Sequence, residues 1–225
     1  IPANLKLIEG LIEEDPENPV LLANAAQGFY GYAFGFTELH DSQRAQALYA
    51  RGTWYGTRAL RTFGLDIDLS RASVEQIDAA VAKLGKKAVP ALFWTASCWA
   101  KEIDLDRTDP AHLAQLSSNE RLMHRVRELQ PDFYYGGVHL YYGVYYGSRS
   151  PLFGGDFARS EENFSRAAAV TQGKLLIIDV LRAEYLERQR LDQARFHALL
   201  RRVTDDPVGR FPELEPLNQI ARTRS

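Results

Sequence analysis

Tyrosine is the residue type whose spacing suggests chemistry in this chain of 225 residues. Six of the 11 tyrosines lie between Tyr134 and Tyr146. A phenol ring combines a large apolar surface with a hydroxyl group that needs a hydrogen-bond partner when it is buried. For any single ring, packing in a core is the ordinary interpretation. Because a wholly dry core suits so many hydroxyl groups poorly, the cluster favours a partly wet cleft with aromatic walls, and hence ligand binding.

The residue types that usually carry catalysis or bind metals are scattered along the sequence. None of the five histidines has a second histidine or a cysteine within one helical turn. The motifs H-E-x-x-H, paired C-x-x-C, G-x-S-x-G, the Walker loop and G-x-G-x-x-G after a strand are absent from the sequence. We therefore predict a protein that is not an enzyme and has no metal site and no cofactor. An enzyme assembled from distant residues stays a third alternative.

A predicted helix positions the tyrosines on one of its faces. The members of that face follow the spacing i, i+3, i+4, i+7 and i+8, and they are Val138, Tyr141, Tyr142, Tyr145 and Tyr146. The opposite face carries His139, Gly143 and Gly147, each four residues from the next. Small residues in such a row predict close approach of a neighbouring backbone on that side.

A loop with proline and glycine follows, and then a second helix. Asp156, directly after Gly154 and Gly155, is predicted to cap this helix by accepting from amides of its first turn. An anion site at the same helix end is the weaker interpretation, because Asp156 would repel the anion. In the second helix, the small, aromatic and small positions of a tetratricopeptide helix are occupied by Ser160, Phe164 and Ala167.

The same small position recurs 34 residues later at Ala194, which is the period of a tetratricopeptide repeat. A looser match is formed by Ala45, Tyr49 and Gly52. We therefore predict degenerate repeats at about 19–63, 135–171 and 174–207 within one domain over residues 1–225. The predicted class is all-α, with tetratricopeptide-like helical hairpins in a short superhelical bundle, because no long alternating pattern indicates a strand.

Apolar periodicity and capping signals predict the other helices. One begins at Asp109 and Pro110 and restarts after a break at Ser117 with Glu120. A capping box is expected at Ser73 and Gln76. The remaining predicted helices span residues 3–14, 19–36, 41–63, 73–84, 89–103, 174–188 and 191–203, with a last helix from about residue 216.

Composition and charge exclude some function classes. The net charge of −2 argues against a nucleic-acid surface, and 45% hydrophobic with 25% charged residues is typical of a folded globular protein. No run reaches the roughly 18 apolar residues of a membrane span. Cys98, the single cysteine, forms no internal disulfide and leaves the redox compartment open. Because the sequence starts at Ile1 without methionine, we expect a processed form whose signal peptide or lipid-anchor cysteine lay upstream.

Several segments together resemble one transporter family. The most specific are Tyr-Gly-Gly-Val-His-Leu-Tyr-Tyr-Gly-Val-Tyr-Tyr-Gly at 135–147, Pro-Leu-Phe-Gly-Gly-Asp at 151–156 and Phe-Ser-Arg-Ala at 164–167. Others are Ala-Leu-Phe-Trp-Thr-Ala-Ser-Cys-Trp at 91–99, Phe-His-Ala-Leu-Leu at 196–200 and Pro-Glu-Leu-Glu-Pro-Leu-Asn-Gln-Ile-Ala-Arg at 212–222. This set resembles the T-component of tripartite ATP-independent periplasmic (TRAP) transporters, called TatT.

The resemblance implies a bacterial envelope lipoprotein that faces the periplasm and has no catalysis of its own. The implied partner is the periplasmic solute-binding protein, or P-component, of a TRAP transporter. A cleft or pore for a small hydrophobic or organic-acid ligand is also implied. The form associated with the family is a homotrimer that meets the membrane only through a lipid anchor outside this sequence. The resemblance implies no nucleic-acid partner.

The matched positions also give candidate ligand-binding residues. The aromatic candidates are Tyr134, Tyr135, Tyr141, Tyr142 and Tyr145, the further walls are Trp94, Trp99 and Phe153, and the polar contacts are His139 and Arg149. The alternative function is a tetratricopeptide scaffold that holds a peptide or protein partner on its concave face. A peptide groove needs regularly spaced Asn, Lys and Arg, whereas tyrosine, glycine and apolar residues predominate here, so the transport function is favoured.

Overall fold

The computed structural model describes residues 2–106, 112 and 114–225. Of this part of the chain, 78% of the residues are helical and none forms a strand, which confirms the all-α prediction. The chain forms two compact units, Ile1–Gln130 and Pro131–Ser225, called unit 1 and unit 2. The tetratricopeptide-like arrangement and the single domain over residues 1–225 stay predictions.

Unit 1 is built around a pair of long helices that pack side by side. Its helices are α1 (Pro2–Glu14), α2 (Pro19–Tyr32), α3 (Ser42–Thr62), α4 (Val74–Val81), α5 (Val89–Leu105) and α6 (Leu116–Leu129). Helix α3 packs on α2 and α5, α1 packs on α2, and α6 packs on α5 and α4. As its composition predicted, α5 is buried over most of its length.

Glycines set the close approach of α3 to α5. A β-carbon on Gly52 would lie 2.5 Å from the Cys98 sulfur, and one on Gly56 would overlap the Thr95 side chain. Gly28 of α2 is similarly close to α1, where a β-carbon would lie 2.7 Å from Leu5. Helix α2 is thus tightly packed at Gly28, while Gly31 has open space.

Helix caps explain where the helices of unit 1 begin. Asp41 accepts from the Arg44 amide at 2.9 Å, and the predicted capping box of Ser73 and Gln76 is confirmed, with both hydrogen bonds present. The restart predicted at Ser117 lies one residue from the start of α6 at Leu116, which has no side-chain cap. The helix start predicted at Asp109 and Pro110 lies outside the described residues.

Helix α2 does not continue regularly to residue 36 as predicted. A π-helical turn, Ala33–Thr37, follows it, and the Thr37 hydroxyl donates to the Tyr32 carbonyl at 3.3 Å. A π turn accommodates one extra residue in a helical turn. The chain then turns through residues 38–41 into α3.

Unit 2 begins with a helical hairpin and ends with a short helix that closes its core. Its helices are α7 (Phe133–Gly147), α8 (Phe157–Val170), α9 (Ile177–Arg182), α10 (Gln193–Asp205) and α11 (Glu215–Arg224). Between α9 and α10 come a second π turn, Ala183–Glu187, and the helical segment Arg188–Arg190. Helix α8 packs on α7, and α10 and α11 pack on α9.

A buried asparagine fastens the last helix of unit 2. The Asn218 side chain accepts from the Leu176 amide at 2.9 Å and donates to the Lys174 carbonyl at 3.0 Å. Both hydrogen-bonding functions of the amide are thereby satisfied in the interior. This explains why the segment before α9 stays in place although its backbone is not helical.

Packing agrees with the repeat pattern in two of the three predicted places. Ser160, Phe164 and Ala167 are buried, and so are Ala45, Tyr49 and Gly52 at the equivalent positions of unit 1. Ala194 is exposed, however, so the match at 34 residues does not place the small residue at an equivalent contact. The start predicted at residue 191 is also wrong, because Asp192 caps α10 through the Arg195 amide at 2.9 Å.

Candidate functional site

The tyrosines of α7 form a stacked row in unit 2. The rings of Tyr141 and Tyr145 are 6.0 Å apart and nearly parallel, and those of Tyr142 and Tyr146 are 5.9 Å apart. The guanidinium of Arg149 lies 4.4 Å from the centre of the Tyr145 ring and donates to the Tyr145 carbonyl at 3.1 Å. This cation–π contact holds a positive charge at the end of the row.

Burial divides the row into two sets. Tyr142 is 0% exposed and is part of the core, whereas Tyr141 and Tyr145 are half-buried. The single aromatic face predicted from helical spacing is therefore not uniformly wet, and Tyr142 is corrected to a core residue. The spacing alone did not show this, because a face of 100° or more spans both buried and half-exposed directions.

The opposite face of α7 is the one that packs most closely on α8, as its small residues predicted. A β-carbon on Gly143 would lie 3.0 Å from the Phe164 ring, and one on Gly147 would lie 2.6 Å from the Ser160 hydroxyl oxygen. The Ser160 hydroxyl donates to the Gly143 carbonyl at 2.6 Å. The serine at this small position therefore adds a buried hydrogen bond between the two helices.

A left-handed turn precedes the regular part of α7. Tyr134, Tyr135 and Gly136 have φ angles of 52°, 58° and 73°. Large L-residues rarely adopt such angles, because the β-carbon approaches the backbone closely. The left-handed turn therefore occupies the start of the repeat predicted at about 135–171, and the regular part of α7 follows Gly136. Tyr134 is half-buried and Tyr135 is 47% exposed.

His139 lies in the interior beside this turn. Its Nε2 atom is 3.2 Å from the Asp132 carboxylate, and its buried Nδ1 atom has no hydrogen-bond partner among the described residues. Because only about a tenth of the side chain is exposed, His139 is a core residue of unit 2 rather than a surface contact.

The loop after α7 carries the most exposed large apolar groups of the predicted site. Leu152 is 92% and Phe153 is 77% exposed, so Phe153 does not form the wall of an enclosed cleft as expected. The loop backbone is nevertheless constrained, since a β-carbon on Gly155 would overlap the Arg149 carbonyl. The predicted cap is confirmed, because Asp156 accepts from the Arg159 amide at 3.0 Å.

Two of the candidate residues belong to unit 1. Trp94 lies in its core with the Tyr30 ring 5.4 Å away, and the Trp99 indole nitrogen donates to the Gln115 side chain at 2.8 Å. Both indoles are about 5% exposed or less, so a ligand does not reach them from the surface. Their predicted role as ligand walls, like the ligand-binding role of the tyrosines, stays a prediction.

A cleft that the sequence did not indicate lies in unit 2 between the π-turn helix and α10. Its volume is about 690 Å³. Its apolar lining is Val180, Ala183, Leu191, Phe196 and Leu200, and its charged lining includes Glu184, Glu187 and Arg188. Sequence reasoning missed the cleft because a π turn has no simple sequence signature and because these residues read as ordinary helix faces.

An ion-pair network surrounds Glu187, one of the charged residues of the cleft lining. Glu187 is fully buried on the π turn, where its carboxylate accepts from Arg182 at 2.9 Å and lies 3.3 Å from Arg195. Glu161 of α8 accepts from Arg182, Arg190 and Arg195 at 2.6 to 3.0 Å. The hydrogen bond from Arg190, with the charges of these arginines, holds the pKa of Glu161 below its ordinary value.

Among the described residues, no three or more His, Cys, Asp or Glu side chains lie close enough together to hold a metal ion. None of the described helices combines the length and apolar character that crossing a bilayer requires. The arrangement can therefore offer aromatic and apolar surfaces and a cleft with charged edges.

Comparison with known proteins relates the chain to one family of transport proteins. The sequence model of the family described as TRAP transporter T-component (TAtT) matches residues 1–225 of the chain. No curated protein matches the chain.

Proposed function

Because the chain belongs to the TRAP transporter T-component family, we propose that it is a non-enzymatic accessory component of such a transporter. In this function it docks the periplasmic solute-binding P-component and holds or passes a hydrophobic or organic-acid ligand. The observation that carries the proposal is the family match over residues 1–225. The aromatic row and the cleft of unit 2 support it, since both provide apolar surface for a ligand.

The proposed location is the bacterial periplasm. A lipid anchor outside residues 1–225 would attach the protein to the envelope membrane, and the proposed assembly is a homotrimer. In this arrangement the membrane contact needs no spanning helix of the described chain, and the helical units are free to meet the P-component.

The docking contact that we propose is the loop Pro151–Phe153. Two large apolar side chains, Leu152 and Phe153, are almost fully exposed there on a backbone constrained by Gly155. Exposed apolar groups on a constrained loop can be buried by a partner at little cost in conformational entropy. The half-buried ring of Tyr145 and the charge of Arg149 lie directly before the loop and extend the proposed contact.

The proposal is tested with the solute-binding P-component of a TRAP transporter from the same organism. The two purified proteins are mixed, and complex formation is measured by size-exclusion chromatography and isothermal titration calorimetry. We expect a stable complex with the wild-type chain. The double variant Leu152→Ser with Phe153→Ser should weaken the complex by at least about tenfold, since buried aromatic and aliphatic anchors dominate such interfaces.

The matched control is Val208→Ser, which changes another exposed apolar side chain of unit 2. We expect this variant to bind the P-component as tightly as the wild type. The absence of a wild-type complex at micromolar concentrations would refute docking. Equal binding by all variants would refute the assignment of the loop.

A further inference from the structure

We propose that the cleft of unit 2 binds an amphipathic organic anion, whose apolar body packs on Phe196 and Leu200 and whose anionic group pairs with Arg188. This inference rests on the proposed function and deepens its ligand-holding part by naming the site and the ligand class. None of the residues expected from the sequence to contact a ligand lines this cleft.

The size and walls of the cleft fit a small molecule. Its volume of about 690 Å³ lies in the range of small-molecule sites. One wall comes from the helix that carries the π turn, through Val180 and Ala183, and the other comes from α10, through Phe196 and Leu200. Val180 and Ala183 are buried while Phe196 and Leu200 are half-buried, so the apolar surface runs from the interior to the opening.

The cleft lining carries charges of both signs, and Arg188 is the group that we propose to pair with an anion. Glu187 is already neutralised by Arg182 and Arg195, and Asp192 accepts from a backbone amide at the start of α10. The charge of Glu187 is therefore compensated, whereas Asp192 keeps its negative charge. Arg188, in contrast, makes no hydrogen bond or ion pair within the described ranges of the chain.

Glu184 lies one turn before Arg188 and weakens the attraction between Arg188 and an anionic ligand. Its carboxylate is half-buried on the same wall, and the described residues give it no partner within ion-pair distance. It opposes the binding of an anion, whereas Arg188 promotes it. The two side chains therefore give opposite expectations for the sign of the ligand charge.

Leu191 adds an independent observation at the opening of the cleft. Its side chain is 88% exposed to solvent, and its backbone is left-handed with a φ angle of 59°, which is rare for a branched apolar residue. Both features are unfavourable for the free chain. An apolar ligand in the cleft would cover this side chain.

Binding is measured with 1-anilinonaphthalene-8-sulfonate, a fluorescent amphipathic anion, and by its displacement with three ten-carbon compounds below their micelle concentrations. These are decanoate, decanol and decyltrimethylammonium, which are anionic, neutral and cationic. We expect saturable binding of the dye and displacement by decanoate at concentrations several-fold lower than by decanol. The cation should displace it least.

Four variants locate the site and the sign of the charge. Arg188→Gln should weaken decanoate binding about three- to tenfold and leave decanol unchanged. Glu184→Gln should strengthen decanoate binding about two- to threefold. Leu200→Ala should weaken both decanoate and decanol. Arg166→Gln, which removes an exposed arginine of α8 outside the cleft, is the charge control and should change neither.

Three outcomes would overturn the assignment: no saturable dye binding, equal displacement by the anion and the neutral compound, or no effect of Arg188→Gln. Circular dichroism checks that each variant is folded, and the three changes to Gln leave the apolar packing in place. Docking of the P-component is measured separately. A chain that docks without binding decanoate contradicts only this inference, and one that binds decanoate without docking contradicts only the docking part of the proposed function.

Discussion

Glu102 is a carboxylate in the interior of unit 1, and no arginine or lysine of the described residues forms an ion pair with it. It lies one turn after Cys98 in α5 and accepts a hydrogen bond from the Thr53 hydroxyl. Burial raises its pKa to about 7, although the Thr53 hydrogen bond and the His112 charge act in the opposite direction. Near neutral pH a small change in acidity therefore alters the charge in this core.

The pH dependence of stability follows from this shift. Since the folded pKa of Glu102 is above the unfolded value, its contribution is fully present below pH 4.5 and is lost as the pH rises to about 7. We expect Glu102→Gln to flatten the stability profile between pH 5 and 7. At pH 8 the variant should be more stable than the wild type by up to about 3 kcal/mol. Urea unfolding at each pH measures this, and parallel profiles for the two proteins would contradict it.

Single residues also show what the sequence could not resolve in the candidate site. Helical spacing placed Tyr141, Tyr142 and Tyr145 on one face, and the structure stacks them there. The spacing could not distinguish buried Tyr142 from its half-buried neighbours, because burial depends on which helices pack on each side. The left-handed conformation of Tyr135 could likewise not be predicted, because large L-residues rarely adopt it.

Close packing of helices α7 and α8 depends on the row of glycines at their contact. A β-carbon on Gly147 would lie 2.9 Å from the Tyr185 carbonyl oxygen as well as close to Ser160. A backbone atom cannot move aside as a flexible side chain can. The π turn that carries Tyr185 must therefore move away from α7 if this position gains a side chain.

We expect Gly147→Ala to lower the free energy of unfolding by about 1–3 kcal/mol, since overpacking forces shifts of the backbone. Gly10→Ala is the matched control in α1, where nothing lies within 4 Å of an added β-carbon. It should raise stability by up to about 1 kcal/mol, because alanine is the better helix former. Chemical denaturation measures both changes, and equal effects at the two positions would contradict the packing argument.

Local signals predicted helix starts well where a side chain makes the cap. Asp156 and the Ser73 box are examples, because the capping residue and its partner amide lie within three residues of each other. The two π turns were not predicted, since an inserted residue leaves the apolar pattern almost unchanged over one turn. The cleft beside the second π turn was missed for the same reason.

At the scale of the whole molecule, the surface retains apolar side chains that another copy of the chain could cover. Leu7 and Leu11 lie one turn apart on the exposed side of α1, and Val20 and Trp54 are more than half exposed in unit 1. Repetition of one contact in a closed ring buries such surfaces without forming filaments.

We therefore expect the chain to form a homotrimer, as the family resemblance implies. Sedimentation equilibrium should give three times the chain mass of 25.4 kDa. Leu7→Glu with Leu11→Glu should shift the protein toward the monomer, because charges would be buried at the contact. A wild-type monomer at tens of micromolar would contradict the trimer.

The family could be identified from the sequence because its specific segments are contiguous and spread along the chain, and the match over residues 1–225 confirms this. The division into two compact units was not predicted, since apolar helix faces look alike whichever unit they pack in. The ligand class and the docking contact are harder still to predict from the sequence, because they depend on the exposure of single side chains such as Arg188 and Phe153.

The buried thiol of Cys98 has a practical consequence for spectroscopy. Its side chain projects from α5 and is buried against Gly52 of α3 and the Ala26 carbonyl of α2, and burial raises the pKa of the thiol well above its ordinary value. Alkylating reagents attack the thiolate, so this sulfur should stay inert toward maleimide dyes while the fold is intact. A fluorophore can then be attached at one engineered surface cysteine, and the wild-type background needs no prior removal of its own sulfur.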